Sequence, residues 1–347
     1  MMGPTSEMES VPSPFLILQI STNLKSVNRP LISLRVPINI LVVSLITALL
    51  AVTGSTVAYS APAQLHRSAP AQLHRSAAEH VVKFVTFPGT RPFKLQVPAV
   101  YLASKATPLI ISLHGYTSSG AAQESYFKLG PVANARDILY VAPDGTLDNA
   151  GNRFWNATPA CCNFYGSAVD DEAYIMSIIK TVSKSYTVDS KRIYIVGHSN
   201  GGFMAHHMAC SHYDQIAAIV SFSGATFKEQ SSCQPAKPVS ILQIWGTSDE
   251  TISYKGGALV NPYPGASETI SDWVRIDKCS AIPIPLIKRI DIDRSIPGAE
   301  TKVSSYMHCR DRTVVELWSI PGAPHVPPLV PNFATKIVNF LLAHPKV

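Results

Sequence analysis

The sequence predicts an α/β fold in which a mostly parallel central sheet is covered by helices on both faces. Two observations predict it. Short runs rich in β-branched and aromatic residues alternate with helix-compatible stretches, and a G-x-S-x-G sequence lies between one such run and one such stretch. The first two strands are expected to pair as an antiparallel edge. We expect strands at 81–87, 93–102, 108–113, 138–142, 192–196, 216–222, 239–245 and 313–320, and helices near 121–134, 171–186, 201–211, 267–277 and 332–343.

The residues Gly197-His198-Ser199-Asn200-Gly201 have the pattern of a nucleophile elbow, a tight turn from a strand into a helix. Glycines on both sides of such a turn let the strand and the helix pass close together. The serine hydroxyl is then exposed at the start of a helix, where free N–H groups and the helix dipole favour negative charge. Ser199 is therefore the candidate nucleophile, and the alternative is a glycine-rich turn with an incidental serine.

A nucleophilic serine needs a base and a third group that orients the base. Asp249 follows the strand at 239–245, where parallel sheets collect functional groups, and is the candidate acid with Glu250 in reserve. The alternative for Asp249 is a turn aspartate that caps local N–H groups. His325 follows the last strand and is the candidate general base. The other histidines precede the domain, lie in or near the elbow helix, precede the last strand or lie at the C-terminal end.

Two backbone N–H groups are needed to stabilise an oxyanion. The first is expected from Asn200, the residue after the nucleophile. The second is expected from Tyr116, with Thr117 as a close alternative, because the strand at 108–113 ends in a His-Gly turn. We expect His114 to hold this turn by hydrogen bonding and to take no part in the chemistry.

The connection at 144–168 is too long to be a simple link and carries several aromatic residues. It follows a strand at the same edge as the candidate catalytic residues. We therefore expect Trp155, Phe164 and Tyr165 to bind substrate as one wall of an acyl or alcohol pocket. The alternative is that the aromatic side chains of this segment pack against the core.

With these pieces in order, the chain resembles the polyhydroxybutyrate depolymerase and feruloyl esterase group of secreted α/β-hydrolases. The resemblance begins near Pro108, and its most group-specific element is the adjacent cysteines followed by Val-Asp-Asp. It implies an α/β-hydrolase fold with a triad of Ser199, Asp249 and His325. The other shared segments are the His-Gly turn, Tyr140-Val-Ala-Pro-Asp-Gly145, Trp155-Asn-Ala-Thr-Pro-Ala-Cys161-Cys162, G-H-S-N-G-G and Gly246-Thr-Ser-Asp249.

Two departures from the group bear on the substrate. Many relatives have a cysteine after the His-Gly turn, where this chain has Tyr116. Relatives often have a tryptophan two residues after the base, where this chain has Pro327. The wall of the pocket near the base is therefore expected to be altered, while the implied mechanism is unchanged.

Composition limits the classes of function. The chain has 347 residues, 46% of them hydrophobic and 15% charged, which suits one large domain, expected at 81–347. The formal net charge is +6 without a dense basic run, so nucleic-acid binding has no support. The cysteine spacing matches no zinc motif, and no metal or organic cofactor is expected. We expect a monomer that acts on small-molecule or oligomeric esters.

The N-terminal part has the features of an export region. An apolar run at 38–52 follows three basic residues and is shorter than the roughly 20 residues that span a bilayer. We expect an export signal within 1–60 and a secreted protein without stable membrane insertion; the alternative is an uncleaved membrane anchor. Residues 60–67 repeat as 68–75, so 61–80 is expected to be an Ala/Pro-rich linker.

An even number of cysteines in an exported chain predicts three disulfides. Cys279 with Cys309 is the best-supported pair. We expect Cys161 and Cys162 not to bond each other, because a bridge between adjacent residues is strained, and instead to pair with Cys210 and Cys233.

The residues favour a secreted serine esterase for short-chain, hydroxybutyrate-oligomer or hydroxycinnamoyl esters, acting through an acyl-enzyme. A serine peptidase on the same fold is an alternative, although no cap or propeller insertion is visible. The second alternative is a non-catalytic binding protein on this fold, which the loss of a triad residue would indicate.

Overall fold

The computed structural model describes residues 81–285 and 289–347. The expected export signal, the repeat linker and the boundaries drawn at 60 and 80 lie outside the described residues. Within those described ranges, no helix combines the length and the apolar character that a membrane span requires.

The described chain contains fourteen strands, six α-helices and two short 3₁₀ turns. The strands are β1 Lys83–Phe87, β2 Phe93–Val97, β3 Thr107–Leu113, β4 Leu139–Val141, β5 Thr146–Leu147, β6 Arg153–Phe154, β7 Val188–His198, β8 Ala218–Phe222, β9 Ser240–Gly246, β10 Gly256–Ala258, β11 Pro262–Pro264, β12 Ile284–Pro285, β13 Lys302–Tyr306 and β14 Val315–Ile320. The helices are α1 Gly120–Phe127, α2 Leu129–Ala135, α3 Asp171–Ser185, α4 Asn200–Ser211, α5 Ala266–Ile276 and α6 Phe333–Ala343.

Ten strands form one sheet in the order β1-β2-β4-β3-β7-β8-β9-β14-β13-β12. The six from β4 to β14 are parallel, and antiparallel strands complete both edges. The expected mostly parallel sheet with an antiparallel opening edge is therefore confirmed. Because β7, β9 and β14 are parallel, the loops that follow them meet at one edge of the sheet.

The two faces of the sheet carry separate apolar cores. Along β3, Leu109 and Ile111 pack on one face and Ile110 on the other, as the period of two in a strand requires. The first core includes α3, α4 and α5, and the second includes α2 and α6. Helices therefore cover both faces, as the sequence predicts.

Several elements differ from expectation in their boundaries or their number. The helix expected at 121–134 is two helices, because Lys128 between them has a left-handed backbone with φ of 55°. The strand expected at 93–102 ends at Val97, since a turn begins at Pro98. The segment expected to be a loop at 144–168 contains the hairpin of β5 and β6, and β10 to β13 were not expected.

All six cysteines are paired, but the expected pairing is only partly correct. Cys279 bonds Cys309, as predicted. Cys210 bonds Cys233, with Cα atoms 5.0 Å apart, within the usual range for a disulfide. The prediction that this pair bridges to the 161–162 loop is therefore wrong, and the adjacent cysteines bond each other.

Candidate active site

The turn that carries Ser199 is a strained strand-to-helix connection. Ser199 has φ of 55° and ψ of −121°, which few side-chain-bearing residues adopt. A Cβ atom added at Gly197 would collide with the carbonyl of Gly201, and one at Gly201 would collide with the carbonyl of Leu113. The Ser199 N–H donates to the carbonyl oxygen of Phe222 on β8 at 2.8 Å. The two glycines therefore permit the tight turn, and β8 anchors it.

An acid and a histidine meet in the loops that follow β9 and β14. Nδ1 of His325 lies 2.8 Å from Oδ2 of Asp249, and both side chains are buried. Oδ1 of Asp249 accepts the N–H groups of Thr251 and Ile252 at 3.0 and 2.7 Å. With Nδ1 bound to the acid, Nε2 is the ring nitrogen of His325 that remains for a proton transfer.

Glu250, the reserve candidate for the acid, contacts the backbone of His325 and not its ring. Oε2 of Glu250 lies 3.3 Å from the backbone nitrogen of His325, whereas the ring is bound by Asp249. Burial raises the pKa of Asp249, but the hydrogen bond and charge of His325 and the N–H of Ile252 outweigh burial and lower the pKa. Asp249 is therefore held as a carboxylate, the form that orients and stabilises an imidazolium.

The base loop, defined as residues 321–331, is held mainly through its carbonyl oxygens. Nε2 of His198 donates to the carbonyl oxygen of His325 at 3.1 Å, and the hydroxyl of Tyr126 donates to the carbonyl oxygen of Pro327 at 3.0 Å. Proline has no N–H to donate, so donors from other elements must hold the loop. Its prolines are Pro321, Pro324, Pro327, Pro328 and Pro331.

His198 joins the elbow to the base loop. Its ring centroid lies 4.9 Å from that of His325, and it packs against the rings of Tyr126 and Phe222. Burial, together with the neighbouring charge of His325, lowers the pKa of His198 to about 4. A neutral His198 can donate to the loop without placing a second positive charge beside the base.

The two candidate oxyanion donors lie on different elements. Asn200 is the first residue of α4, and the first N–H groups of a helix have no acceptor within that helix. In the described part of the chain, the Tyr116 N–H also has no acceptor, whereas the Thr117 N–H donates to the carbonyl oxygen of Arg153 at 2.9 Å. Of the two residues considered for the second donor, only Tyr116 has a free N–H.

Trp155 and His114 fix both donor segments. The Trp155 N–H donates to Oδ1 of Asn200 at 2.7 Å, and Nδ2 of Asn200 donates back to the Trp155 carbonyl at 2.9 Å. The indole N–H donates to the carbonyl of His114 at 3.0 Å, and the His114 ring bonds the Gly115 carbonyl and the Gly145 N–H. Burial lowers the pKa of His114. His114 thus holds the turn by hydrogen bonds, as expected.

The aromatic loop, defined as residues 144–168, divides into buried and exposed residues. Trp155 has no exposed surface, so its expected place in the wall of a substrate pocket is wrong, and core packing describes both Trp155 and Phe154. Phe164 and Tyr165 are 46% and 50% exposed, and the Phe164 ring meets the Tyr116 ring edge-on at 5.0 Å. The exposed pair is thus available to a ligand beside the oxyanion segment.

The site contains residues whose roles the sequence analysis did not identify. His198 is unlike a candidate base in one respect that the sequence does reveal: the period of two along β7 puts it on the same face as Tyr194 and Val196, which predicts burial. Tyr126 gives no comparable signal, because its contact with Pro327 joins residues 201 positions apart. Among the described residues, no group of three or more His, Cys, Asp or Glu could hold a metal ion.

Comparison with known proteins agrees with this architecture. Residues 99–269 match the family model described as Phospholipase/Carboxylesterase. Feruloyl esterase B of Piromyces equi is 28% identical over 240 residues, 67% of this chain and 42% of that protein. Poly(3-hydroxyalkanoate) depolymerase C of Paucimonas lemoignei is 24% identical over 278 residues, 73% of this chain and 62% of that protein.

A solved structure supports the fold independently. The acetyl xylan esterase from Aspergillus awamori superposes with a TM-score of 0.54 and 14% identity, covering 75% of this chain and 98% of that one. This likeness bears on the fold alone. The matched part of the chain corresponds to 42% of the length of the Piromyces equi relative and 62% of the length of the Paucimonas lemoignei relative. The chain has an α/β-hydrolase fold, and its resemblance to the feruloyl esterase and polyhydroxyalkanoate depolymerase group is confirmed.

Proposed function

We propose that the protein is a carboxylic ester hydrolase that works through Ser199, His325 and Asp249. The observation that carries the proposal is the buried 2.8 Å contact between His325 and Asp249, together with the strained backbone of Ser199 directly before α4. The named relatives, which are esterases and a polyester depolymerase, support the same class of reaction.

In this mechanism the Ser199 hydroxyl attacks the ester carbonyl carbon while Nε2 of His325 takes its proton. The negative charge that develops on the carbonyl oxygen is stabilised by the N–H groups of Asn200 and Tyr116. The C–O bond to the alcohol then breaks, and His325 returns the proton to the departing oxygen. Water hydrolyses the acyl-enzyme by the same steps, with His325 again as base.

The preferred substrates in this proposal are soluble esters with a short, hydroxybutyrate-type or hydroxycinnamoyl acyl group. The exposed rings of Phe164 and Tyr165 provide an apolar surface next to Tyr116. The name of the Piromyces equi relative supports a feruloyl group, and that of the Paucimonas lemoignei relative a hydroxyalkanoate. We expect these soluble esters to be hydrolysed faster than crystalline polyester film.

We also propose that the protein is secreted as a monomer after removal of a signal within residues 1–60. Three disulfides are compatible with an oxidising compartment. The apolar run at 38–52 after basic residues is typical of an export signal. N-terminal sequencing of protein recovered from the medium tests this part; a start before residue 38 would contradict it.

The central test is Ser199→Ala, measured on p-nitrophenyl butyrate, methyl ferulate and hydroxybutyrate oligomers. We expect kcat to fall on the order of 10⁴-fold or more, because the nucleophile is removed, with an unchanged circular dichroism spectrum. Fluorophosphonate should label the wild type and not the variant. Near-normal turnover by Ser199→Ala would exclude the mechanism, and peptide cleavage without ester cleavage would favour a peptidase.

A further inference from the structure

A cavity of about 940 Å³ lies toward the edge of the sheet opposite to the candidate active site. It is lined by α3 from Ala173 to Lys184, the beginning of β7, the segments before β8 and β9, and the last residues of the chain. The segments that lead into β7, β8 and β9 lie at the amino ends of these parallel strands. Ser199, Asp249 and His325 follow the carboxyl ends, so the cavity is separate from the catalytic groups.

The cavity concentrates positive charge. One acidic side chain, Asp214, lines it, whereas five lysines do. Among the described residues, no ion pair involves Lys180, Lys184, Lys191 or Lys237, all of which are exposed. The five are Lys180, Lys184, Lys191, Lys237 and Lys346.

Part of this arrangement is unfavourable to the fold. Lys180 and Lys184 are one turn apart on α3, and like charges at that spacing destabilise a helix. Lys346 is half-buried and donates to the carbonyl oxygens of Tyr213 and Ile216. Burial lowers the pKa of Lys346 and the charge of Lys237 acts in the same direction, whereas the carboxylates of Asp214, Asp277 and Asp311 oppose the decrease. A bound anion would relieve this repulsion.

The lining favours one kind of anion. It contains no arginine, whose planar fork pairs with carboxylate and phosphate alike, and no aromatic ring on which a nucleic-acid base could stack. Its lysines provide separate point charges that attract an anionic chain. Exposed Ser183 and Ser190 and half-buried Gln215 add hydroxyl and amide groups that can pair with sugar hydroxyls.

We propose that this lysine-lined cavity binds carboxylated polysaccharide, the chemistry of a uronic acid chain. Because it lies away from the catalytic edge, it holds the protein on a polymer without occupying the active site. Tethering of this kind raises the local concentration of ester groups carried by the same polymer. The binding itself does not depend on the ester chemistry.

The test compares two double charge reversals that change the net charge equally. Lys180→Glu with Lys184→Glu alters the cavity, and Lys83→Glu with Lys94→Glu, on exposed positions of the β1–β2 hairpin, is the matched control. Binding of polygalacturonate at low salt is measured by calorimetry. We expect the cavity variant to bind about tenfold or more weakly, the control about as tightly as wild type, and added salt to weaken wild-type binding.

Dextran is the uncharged comparison, and single-stranded DNA is the phosphate comparison. Equal weakening by both double variants, tighter binding of DNA than of polygalacturonate, or no binding by the wild type would each overturn the proposal. Hydrolysis of p-nitrophenyl butyrate should be unchanged in both variants. Loss of that activity by Ser199→Ala, with polygalacturonate binding retained, separates the cavity from the proposed catalysis.

Discussion

The base loop and the aromatic loop are each bonded to a residue next to Ser199, but they are held in different ways. The base loop is rich in proline and depends on donors from distant elements, His198 on the elbow and Tyr126 on α1. The aromatic loop is bound to the nucleophile turn through Trp155 and Asn200, whereas its segment with the exposed rings is closed by Asn163, which bonds both Asn156 and Ser167. Both loops are therefore positioned together with the nucleophile, but the exposed rings of the aromatic loop lie on a locally closed segment that can vary without moving the catalytic groups.

The largest expected effect separates the two acids near the base. Asp249→Ala should lower kcat on p-nitrophenyl butyrate by about 10³- to 10⁴-fold, because the imidazole loses the partner that orients and stabilises it. Glu250→Gln, which removes a charge one residue away, should retain activity within about tenfold. The assignment of the acid fails if Glu250→Gln is as damaging as Asp249→Ala.

The next largest effect tests whether His198 positions the base loop. His198→Leu removes the donor to the His325 carbonyl and should lower kcat about tenfold with little change in KM, because the base loses its alignment. His198→Gln keeps an N–H near the position of Nε2 and should recover much of the loss. Equal losses in both variants, or a change in KM alone, would indicate a purely structural role.

A buried neutral histidine also makes stability depend on pH. The pKa of His198 is lowered by burial to about 4, whereas an unfolded histidine binds its proton near pH 6.5. As the pH falls through this window the unfolded chain takes up the proton first, so stability is lost. From pH 7 to pH 5 this group should cost about 2 kcal/mol of unfolding free energy.

The measurement is urea unfolding of wild type and His198→Gln at both pH values. The variant should lose less stability on acidification by about that amount. His206, whose pKa burial also lowers to about 4, remains in both proteins and supplies a common background. Parallel pH dependence in the two proteins would contradict the prediction.

The smallest effect concerns the aromatic loop. Phe164→Ala removes the ring that meets Tyr116 edge-on and should raise KM for methyl ferulate by roughly three- to tenfold, the size expected for one aromatic contact. The KM for p-nitrophenyl acetate should not change, since an acetyl group is too small to reach the ring. Leu147→Ala, an exposed apolar residue in the same loop, is the control. A larger effect on the acetyl ester would place Phe164 elsewhere in the mechanism.

The parts of the molecule that the sequence predicted are those with local signals. Continuous apolar runs such as Pro108 to Leu113 indicate buried parallel strands, and glycines around Ser199 indicate a tight turn. The sequence does not predict β13, because its residues, KVSSY, form a short run with several polar side chains, of which Ser305 is buried. The break at Lys128 had a local signal in Gly130 and Pro131, which the helical pattern on both sides obscured.

The contacts that complete the site carry no such local signal. The reciprocal bonds between Trp155 and Asn200 join residues 45 positions apart, and an aromatic residue in a long loop is equally compatible with a pocket wall. The expected pairing of the adjacent cysteines with distant partners is wrong because Cys210 and Cys233 lie close enough to bond each other, and sequence alone does not give that distance. Long-range proximity, which only the folded chain supplies, decided both outcomes.

The order of the catalytic groups along the chain also has a consequence for biosynthesis. The strands that carry Ser199 and Asp249 are β7 and β9, whereas His325 follows β14, which pairs with β9 only after the intervening segment has been made. A nascent chain that has left the ribosome as far as the loop after β9 can therefore contain the nucleophile and the acid but not the base. Hydrolytic capacity in the proposed mechanism is acquired late, when β14 docks, so that a partly synthesised chain does not yet act on esters in the compartment where it is made.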